Sequence, residues 1–355
     1  MKNMLLAGLV GLALFGCQPP APDQGKLYVS NVLNNTVSVL DPAKGEVIKQ
    51  IPVGGLPHNF AFTPDYKHLF VTNTASQNLS VIDTETDTVV KEILLAPIPD
   101  IAPHRKIVNI EQYTSCRTCH QDPRGTHPMG IALAPNGVDL LVTNFKDASL
   151  TRLDATRQQV VDRIPVEYEL QPSPANLIFS EAKDHVYVVS RDMKKVPGRL
   201  TVYNRQFEKL RDLEVIKAPF GMVTSKDGSE LYIASRVTNK VEVWDTEAWT
   251  LKRTLTTGDG PVGLFLSDNG RLYTGNFYTT RPAYVSVMDA QTGTEIKRIH
   301  GVTDITRMTT DPGRRYLYVA NSGANRVQVI DLATDEVIRD IPAGAFPVDV
   351  AFKPI

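Results

Sequence analysis

Residues 69–83 read LFVTNTASQNLSVID, and this stretch decides the fold. A short apolar segment ends in Val-Thr-Asn, a polar turn follows, and a second segment alternates apolar with polar residues. That pattern predicts two antiparallel strands joined as a hairpin. Close variants of the first strand recur along the chain. The seven copies are Tyr28–Asn31, Phe70–Asn73, Leu141–Asn144, Tyr187–Ser190, Tyr232–Ser235, Tyr273–Asn276 and Tyr318–Asn321.

The spacing of these copies predicts the architecture. They begin 42, 71, 46, 45, 41 and 45 residues apart, and most periods also hold a third strand and a fourth that opens with proline. Four short strands per period of about 40–45 residues are typical of a β-propeller blade. We therefore predict an all-β fold, a seven-bladed β-propeller. The last strand, residues 347–352, should complete the N-terminal blade and close the ring.

Three recurring strand types carry a resemblance to a known family. The Val-Thr-Asn strands, the Ser-Val-Ile-Asp strands and the Pro-x-x-Ile-Ala-Phe strands resemble those of the YVTN family of seven-bladed propellers over nearly all of residues 26–355. The chain is also similar to the propeller of cytochrome cd-type nitrite reductases and of amine dehydrogenases. The resemblance implies the propeller fold, and it implies binding, scaffolding or redox roles without choosing among them.

One short motif points to redox chemistry. Five consecutive residues, Cys-Arg-Thr-Cys-His, end at His120. This spacing is typical of c-type haem attachment, in which Cys116 and Cys119 form thioethers to the porphyrin and His120 is the proximal iron ligand. The motif predicts one covalent haem c. A disulfide, a chance string, or a zinc site completed by His127 and His104 are alternatives that the sequence leaves open.

The motif lies inside an insertion. The 71-residue interval exceeds the others by about 27 residues, which places the surplus roughly at residues 96–126. Long loops without regular structure are uncommon unless they are functional or disordered. The insertion is too short for a whole cytochrome domain, so we expect the propeller to form one wall of the haem pocket. The insertion joins one blade to the first strand of the next, and therefore lies at the channel end where the first strands begin.

A sixth iron ligand is expected from the same end of the channel. Met129 and His58 follow the prolines that open two first strands, and both are candidates for the distal position. His127 is a weaker candidate and His104 weaker still. A methionine ligand would raise the reduction potential, whereas an open position would permit ligand binding or catalysis.

One arginine is a candidate for contact with the haem periphery. Arg307 follows the start of another first strand, and its guanidinium group matches the geometry of a haem propionate. An ion pair from Arg307 to Asp349 or Asp304 is the alternative.

The N-terminus predicts the compartment. Lys2 and the apolar residues 4–15 resemble a secretory signal, and the sequence up to Cys17 resembles a bacterial lipobox. We expect residues 1–16 to be a lipoprotein signal peptide, Cys17 to be lipidated, and residues 17–25 to be a Pro-rich tether. The protein would then be anchored in the bacterial cell envelope, on the periplasmic or outer-surface side. An ordinary secretory signal is the alternative.

The charge balance narrows the range of partners. The chain has 38 Lys and Arg against 39 Asp and Glu, a net charge of −1, so a nucleic-acid partner is not indicated. The combined features predict an envelope cytochrome that transfers electrons to or from a partner protein. The alternatives are a haem-dependent oxidoreductase of a small substrate, and a haem-free propeller that serves binding or assembly.

Overall fold

The structure is a computed structural model. It describes residues 24–95, 126–146, 148–166, 173–180, 182–191, 197–277 and 284–355. Several predicted functional residues lie outside these ranges. They are Cys17, His104, Cys116, Cys119 and His120.

The described residues form seven four-stranded antiparallel sheets. The first three hold β1 (Gly25–Asn31), β2 (Thr36–Asp41), β3 (Glu46–Pro52), β4 (Pro57–Phe62), β5 (His68–Asn73), β6 (Asn78–Asp83), β7 (Thr88–Leu94), β8 (Pro128–Leu133), β9 (Asp139–Asn144), β10 (Ser149–Asp154) and β11 (Gln159–Pro165). The next two hold β12 (Ser173–Ser180), β13 (His185–Arg191), β14 (Pro197–Tyr203), β15 (Lys209–Lys217), β16 (Pro219–Thr224), β17 (Glu230–Ser235), β18 (Lys240–Asp245) and β19 (Leu251–Thr256). The last two hold β20 (Pro261–Leu266), β21 (Arg271–Asn276), β22 (Tyr284–Asp289), β23 (Glu295–His300), β24 (Ile305–Thr310), β25 (Tyr316–Asn321), β26 (Arg326–Asp331) and β27 (Glu336–Pro342). The strand β28 (Pro347–Pro354) belongs to the first sheet, and a 3₁₀ helix covers Ser322–Ala324.

The seven sheets close into a ring, as the sequence predicts. The strand order of the first sheet is β28-β1-β2-β3, so the C-terminal strand completes the N-terminal blade, with Leu27 opposite Phe352. The first strand of every blade packs on the first strands of both neighbours, from β4 on β8 around to β24 on β28 and β28 on β4. These seven strands surround a central channel, which confirms the seven-bladed β-propeller.

Burial follows the strand order within each blade. The second strands are almost fully buried, as in β5, whereas the outer strand β7 alternates exposed and half-buried residues. The core lies between adjacent blades, where Phe70 and Val81 of one sheet pack with Leu140 and Val142 of the next. Each large apolar side chain removed from water in this way contributes about 1.5–3 kcal/mol. A blade alone leaves these faces exposed, which is why the ring must be complete.

The recurring asparagine at the end of the second strand has a local role. The side-chain amide of Asn73 donates to Asn78 Oδ1 at 2.9 Å and to Ser80 Oγ at 2.8 Å. Asn144 makes the equivalent bond to Thr151 at 2.8 Å. These bonds tie each second strand to the third across the turn. They hold the turns that face the same end of the channel as the insertion.

Candidate functional site

The channel opens into a cavity at the end where the first strands begin. This cavity, which we call the channel mouth, has a volume of about 120 Å³. Four aromatic side chains form much of its apolar lining. They are Phe145, Phe220, Phe277 and Phe346. Four residues singled out from the sequence line the same cavity. They are His58, His127, Met129 and Arg307.

A repeated turn builds the rim of the channel mouth. The residue before each first strand has a positive φ at most blades, including Leu56 at 54°, His127 at 49° and Phe346 at 57°. Its carbonyl oxygen accepts a hydrogen bond from the residue after the second strand, as from Phe145 N–H to His127 at 3.1 Å. The left-handed conformation costs a residue other than glycine about 1–2 kcal/mol of free energy. Because the same turn recurs around the ring, blade geometry imposes it at His127.

Neighbouring blades hold the backbone of His58 and Met129 in place. The hydroxyl group of Ser30 donates to the carbonyl oxygen of His58 at 2.6 Å. The hydroxyl group of Thr72 donates to the carbonyl oxygen of Met129 at 2.9 Å. Both residues are the second of their strands, β4 and β8, and both side chains are half-buried at the channel mouth. A nitrogen donor and a sulfur donor therefore face one cavity from two adjacent blades.

Arg307 reaches across the channel. Its Nη2 donates to Asn176 Oδ1 at 2.7 Å and lies 3.4 Å from Asn59 Oδ1. Asn59 Nδ2 in turn donates to Asp349 Oδ2 at 3.0 Å. An amide thus links the guanidinium group to Asp349, whereas the sequence suggested a direct ion pair as the alternative to a haem contact. Because Asn176 belongs to the fourth blade and Arg307 to the seventh, the bond between them spans the channel.

A second cavity lies on the other side of Arg307. It has a volume of about 410 Å³, and its lining includes Tyr66, Phe352 and Asp349 as well as Arg307. Burial raises the pKa of the Asp349 carboxyl, while the positive charge of Arg307 opposes the change. Arg307 lines both cavities and therefore separates the channel mouth from the opposite end.

Two further arginines at the channel mouth were missed by the sequence analysis. Arg191 is only 2% exposed, and its guanidinium carbon lies 4.9 Å from the ring centre of Phe220 and 5.4 Å from that of Phe145. The guanidinium carbon of Arg236 lies 4.6 Å from the ring centre of Phe277. Each arginine directly follows the recurring Asn or Ser of a second strand. Aligning the seven repeats at that position would have placed both residues at the rim.

Both ends of the insertion are fixed to the same residue. The N–H of Leu95 donates to the carbonyl oxygen of Gln77 at 3.2 Å, and the N–H of Thr126 donates to Gln77 Oε1 at 3.0 Å. Gln77 lies in the turn between β5 and β6 and has a φ of 56°. The chain between Leu95 and Thr126 therefore leaves and returns at one point of the rim. It re-enters the fold directly before His127.

The described residues contain neither a candidate metal cluster nor a long apolar helix. Within the ranges given above, no group of three or more His, Cys, Asp or Glu side chains is arranged to hold a metal ion. No helix in that part of the chain has the length and apolar character needed to cross a bilayer.

Comparison with protein families agrees with the fold over part of the chain. The family of YNCE-like beta-propellers matches residues 6–99. No curated protein matches the sequence at a significant level. The sequence is thus similar to a propeller family over part of its length, in agreement with the predicted architecture.

Solved structures of the same fold cover most of the chain. A functionally unknown protein from Desulfotomaculum acetoxidans DSM 771 has a TM-score of 0.69 and 14% identity, covering 93% of this chain and 99% of that one. The Pseudomonas aeruginosa periplasmic gluconolactonase PpgL has a TM-score of 0.64 and 18% identity, with coverages of 93% and 99%. The dihydro-heme d1 dehydrogenase NirN, solved in complex with DHE, has a TM-score of 0.63 and 18% identity, with coverages of 93% and 66%. At these identities the likeness shows the fold alone.

Proposed function

We propose that this protein is a c-type cytochrome of the cell envelope that transfers electrons. Cys116 and Cys119 would bind one haem through thioethers, and His120 would be its proximal ligand. The observation that carries the proposal is that both residues flanking the insertion, Leu95 and Thr126, bond to Gln77 at the channel mouth. The haem-attachment motif therefore belongs to a segment tethered beside possible iron ligands.

The residues at the channel mouth fit a haem group. Phenylalanine side chains provide an apolar lining, and an arginine such as Arg307 suits a propionate. His58 and Met129 offer the nitrogen and sulfur donors that complete iron coordination in cytochromes. A cavity of about 120 Å³ is smaller than a porphyrin, so under this proposal the insertion would supply the remaining walls. When bound, the haem supplies a one-electron redox change at the iron.

The fold's own contribution would be to hold the backbone of the candidate sixth ligand in place. The hydroxyl groups of Ser30 and Thr72 hold the backbone of His58 and Met129 from neighbouring blades. A ligand attached to such a rigid frame moves little when the iron changes its charge, which favours rapid electron transfer. Met129 as the ligand would give a higher reduction potential than His58.

The N-terminal signal supports the proposed compartment. Covalent haem attachment in bacteria takes place outside the cytoplasmic membrane, and an exported chain satisfies that requirement. A lipid on Cys17 would anchor the propeller to a membrane and leave the channel mouth accessible to a redox partner protein.

A haem stain of the denatured full-length protein tests the proposal. Expression in a host with the haem-maturation machinery should give a stained band and a mass increase of one haem. The double variant Cys116→Ala/Cys119→Ala should lose both signals. His104→Ala is the matched control, since it changes the same insertion and should keep the stain. A blank lane for the wild-type protein would refute the cytochrome and favour the haem-free binding or assembly module.

A haem-dependent oxidoreductase is the second candidate function. The observation that favours it is the open space at the channel mouth between Arg307 and the rim. NirN, which shares the fold, is named as a dehydrogenase of dihydro-heme d1. Absorption spectra of the reduced protein with and without carbon monoxide separate the two functions. Binding of carbon monoxide indicates an open iron position, and its absence indicates a filled one.

A further inference from the structure

We propose that the channel mouth is a carboxylate-binding site formed by three guanidinium groups. These groups belong to Arg191, Arg236 and Arg307, which come from three different blades and line one cavity. The carboxylate has two possible sources, namely the propionates of the haem or a small free carboxylate. The first source rests on the proposed function, whereas the second does not.

The charge of the lining is the first argument. Of the residues that the structure describes around this cavity, three are arginines and none is an aspartate or glutamate. The nearby carboxyl group of Asp349 lies outside the lining and accepts hydrogen bonds from Asn59 Nδ2 and the N–H of Phe60. The described lining therefore contributes three positive charges that favour an anion, and its apolar walls strengthen the attraction.

The stacking of the arginines is the second argument. Arg191 lies against Phe145 and Phe220, and Arg236 lies against Phe277. A guanidinium group that stacks on aromatic rings keeps its N–H donors in its own plane, where a carboxylate fork meets them. Stacking also fixes the side chain, so less rotamer entropy is lost when an anion binds. Arg191 is a buried charged group that lies over two aromatic rings.

The position of Arg307 is the third argument. Asn176 Oδ1 accepts from Arg307 at 2.7 Å and directs the guanidinium group across the channel. The side chain thus forms the floor of the channel mouth. With Arg191 and Arg236 at the rim, positive charge surrounds the cavity from below and from the side.

Calorimetric titration of the full-length protein with succinate tests the proposal. Succinamide, which has a similar shape and no charge, is the matched control ligand, and inorganic phosphate serves as a compact second anion. Succinate should bind, succinamide should not, and the affinity should fall with added salt. This comparison needs no variant, so it holds even if a substitution prevents folding.

Variants identify the site. Arg236→Met should weaken succinate binding by at least about tenfold, because a charge-assisted hydrogen bond is lost, and Arg236→Lys should restore part of it. Arg314→Met is the matched control. Arg314 stacks on Phe265 at 5.2 Å but lies in the turn between β24 and β25, at the opposite end of the channel, so binding should not change.

The two sources are separated by comparing haem-loaded with haem-free full-length protein, the latter from a host without the maturation machinery. Succinate binding to the haem-free form alone identifies the propionates as the natural occupants. Binding to both forms identifies a free carboxylate. The proposal is overturned if neither form binds succinate and Arg236→Met also leaves the reduction potential of the haem unchanged. A blank haem stain would refute the proposed function, but the titration with succinate would still test the carboxylate-binding site.

Discussion

Replacing Glu230 by glutamine should destabilise the propeller in a pH-dependent way. The Glu230 carboxylate accepts two hydrogen bonds from Arg253, at 2.7 and 2.8 Å, and one from Tyr232 at 2.7 Å. Lys252 lies at 2.9 Å. Arg253 also donates to the carbonyl oxygen of Ala290 in the next blade at 2.9 Å, so the cluster joins two blades. It lies at the end of the ring opposite the channel mouth.

The magnitude follows from the pKa of the carboxyl group. Hydrogen bonds from Arg253 are the main reason that the pKa of Glu230 is about 2, against 4.5 in an unfolded chain. At 1.36 kcal/mol per pH unit, this difference corresponds to at most about 3.4 kcal/mol. The donors are partly exposed to water, so we expect a loss of about 1–2 kcal/mol for Glu230→Gln at pH 7.

The sign of the pH dependence provides the sharper test. Because the folded pKa lies below the unfolded value, the stabilisation is complete above about pH 4.5 and disappears as the pH falls towards 2. Urea unfolding at pH 7 and at pH 3 should therefore show a smaller gap between wild type and Glu230→Gln at the lower pH. Glu336→Gln is the matched control, since its side chain is 70% exposed, and its effect should stay within about 0.5 kcal/mol. An equal gap at both pH values would contradict the reasoning.

Three further predictions concern blade packing and the iron. Tyr273→Phe should lower the free energy of unfolding by about 1–2 kcal/mol, because the buried hydroxyl group donates to Asp335 of the next blade; urea unfolding measures the loss. Gly221→Ala should lower the thermal midpoint, because a Cβ there would lie 1.9 Å from the carbonyl oxygen of Val262; an unchanged midpoint would refute the close contact. If Met129 is the sixth ligand, Met129→Ala should allow the reduced protein to bind carbon monoxide. An absorption spectrum that carbon monoxide leaves unchanged would show that Met129 is not an iron ligand.

The sequence predicted the ring because the same short pattern of residues recurs in its repeats. Alternating apolar residues, a recurring Asn or Ser and an opening proline repeat in nearly every blade, so period and closure follow from counting. His58 and Met129 were placed at the mouth for the same reason, since each is the second residue of a first strand. The described residues on either side of the predicted insertion, Leu95 and Thr126, both bond to Gln77 at the channel mouth.

The contacts across the channel were beyond the reach of the sequence. Arg307 and Asn176 are 131 residues apart, and strand patterns do not tell which side chains are long enough to meet over the channel axis. Arg191 and Arg236 were missed because the position after the second strand varies from blade to blade. Valine, threonine, phenylalanine and serine occupy it elsewhere, so no rule within one repeat distinguishes an arginine there.

The recurring left-handed turn has a consequence for how such a protein changes its specificity. Most of the described blades present the same backbone to the entrance, fixed by a main-chain bond such as that from the N–H of Phe145 to the carbonyl oxygen of His127. The side chains before the first strands do not make this main-chain bond, whereas Thr74 and Ser322, which follow second strands, donate hydrogen bonds to the neighbouring blade. A single substitution can therefore alter what the entrance attracts while the scaffold stays as it is. The backbone of the ring can therefore stay constant while individual entrance side chains change.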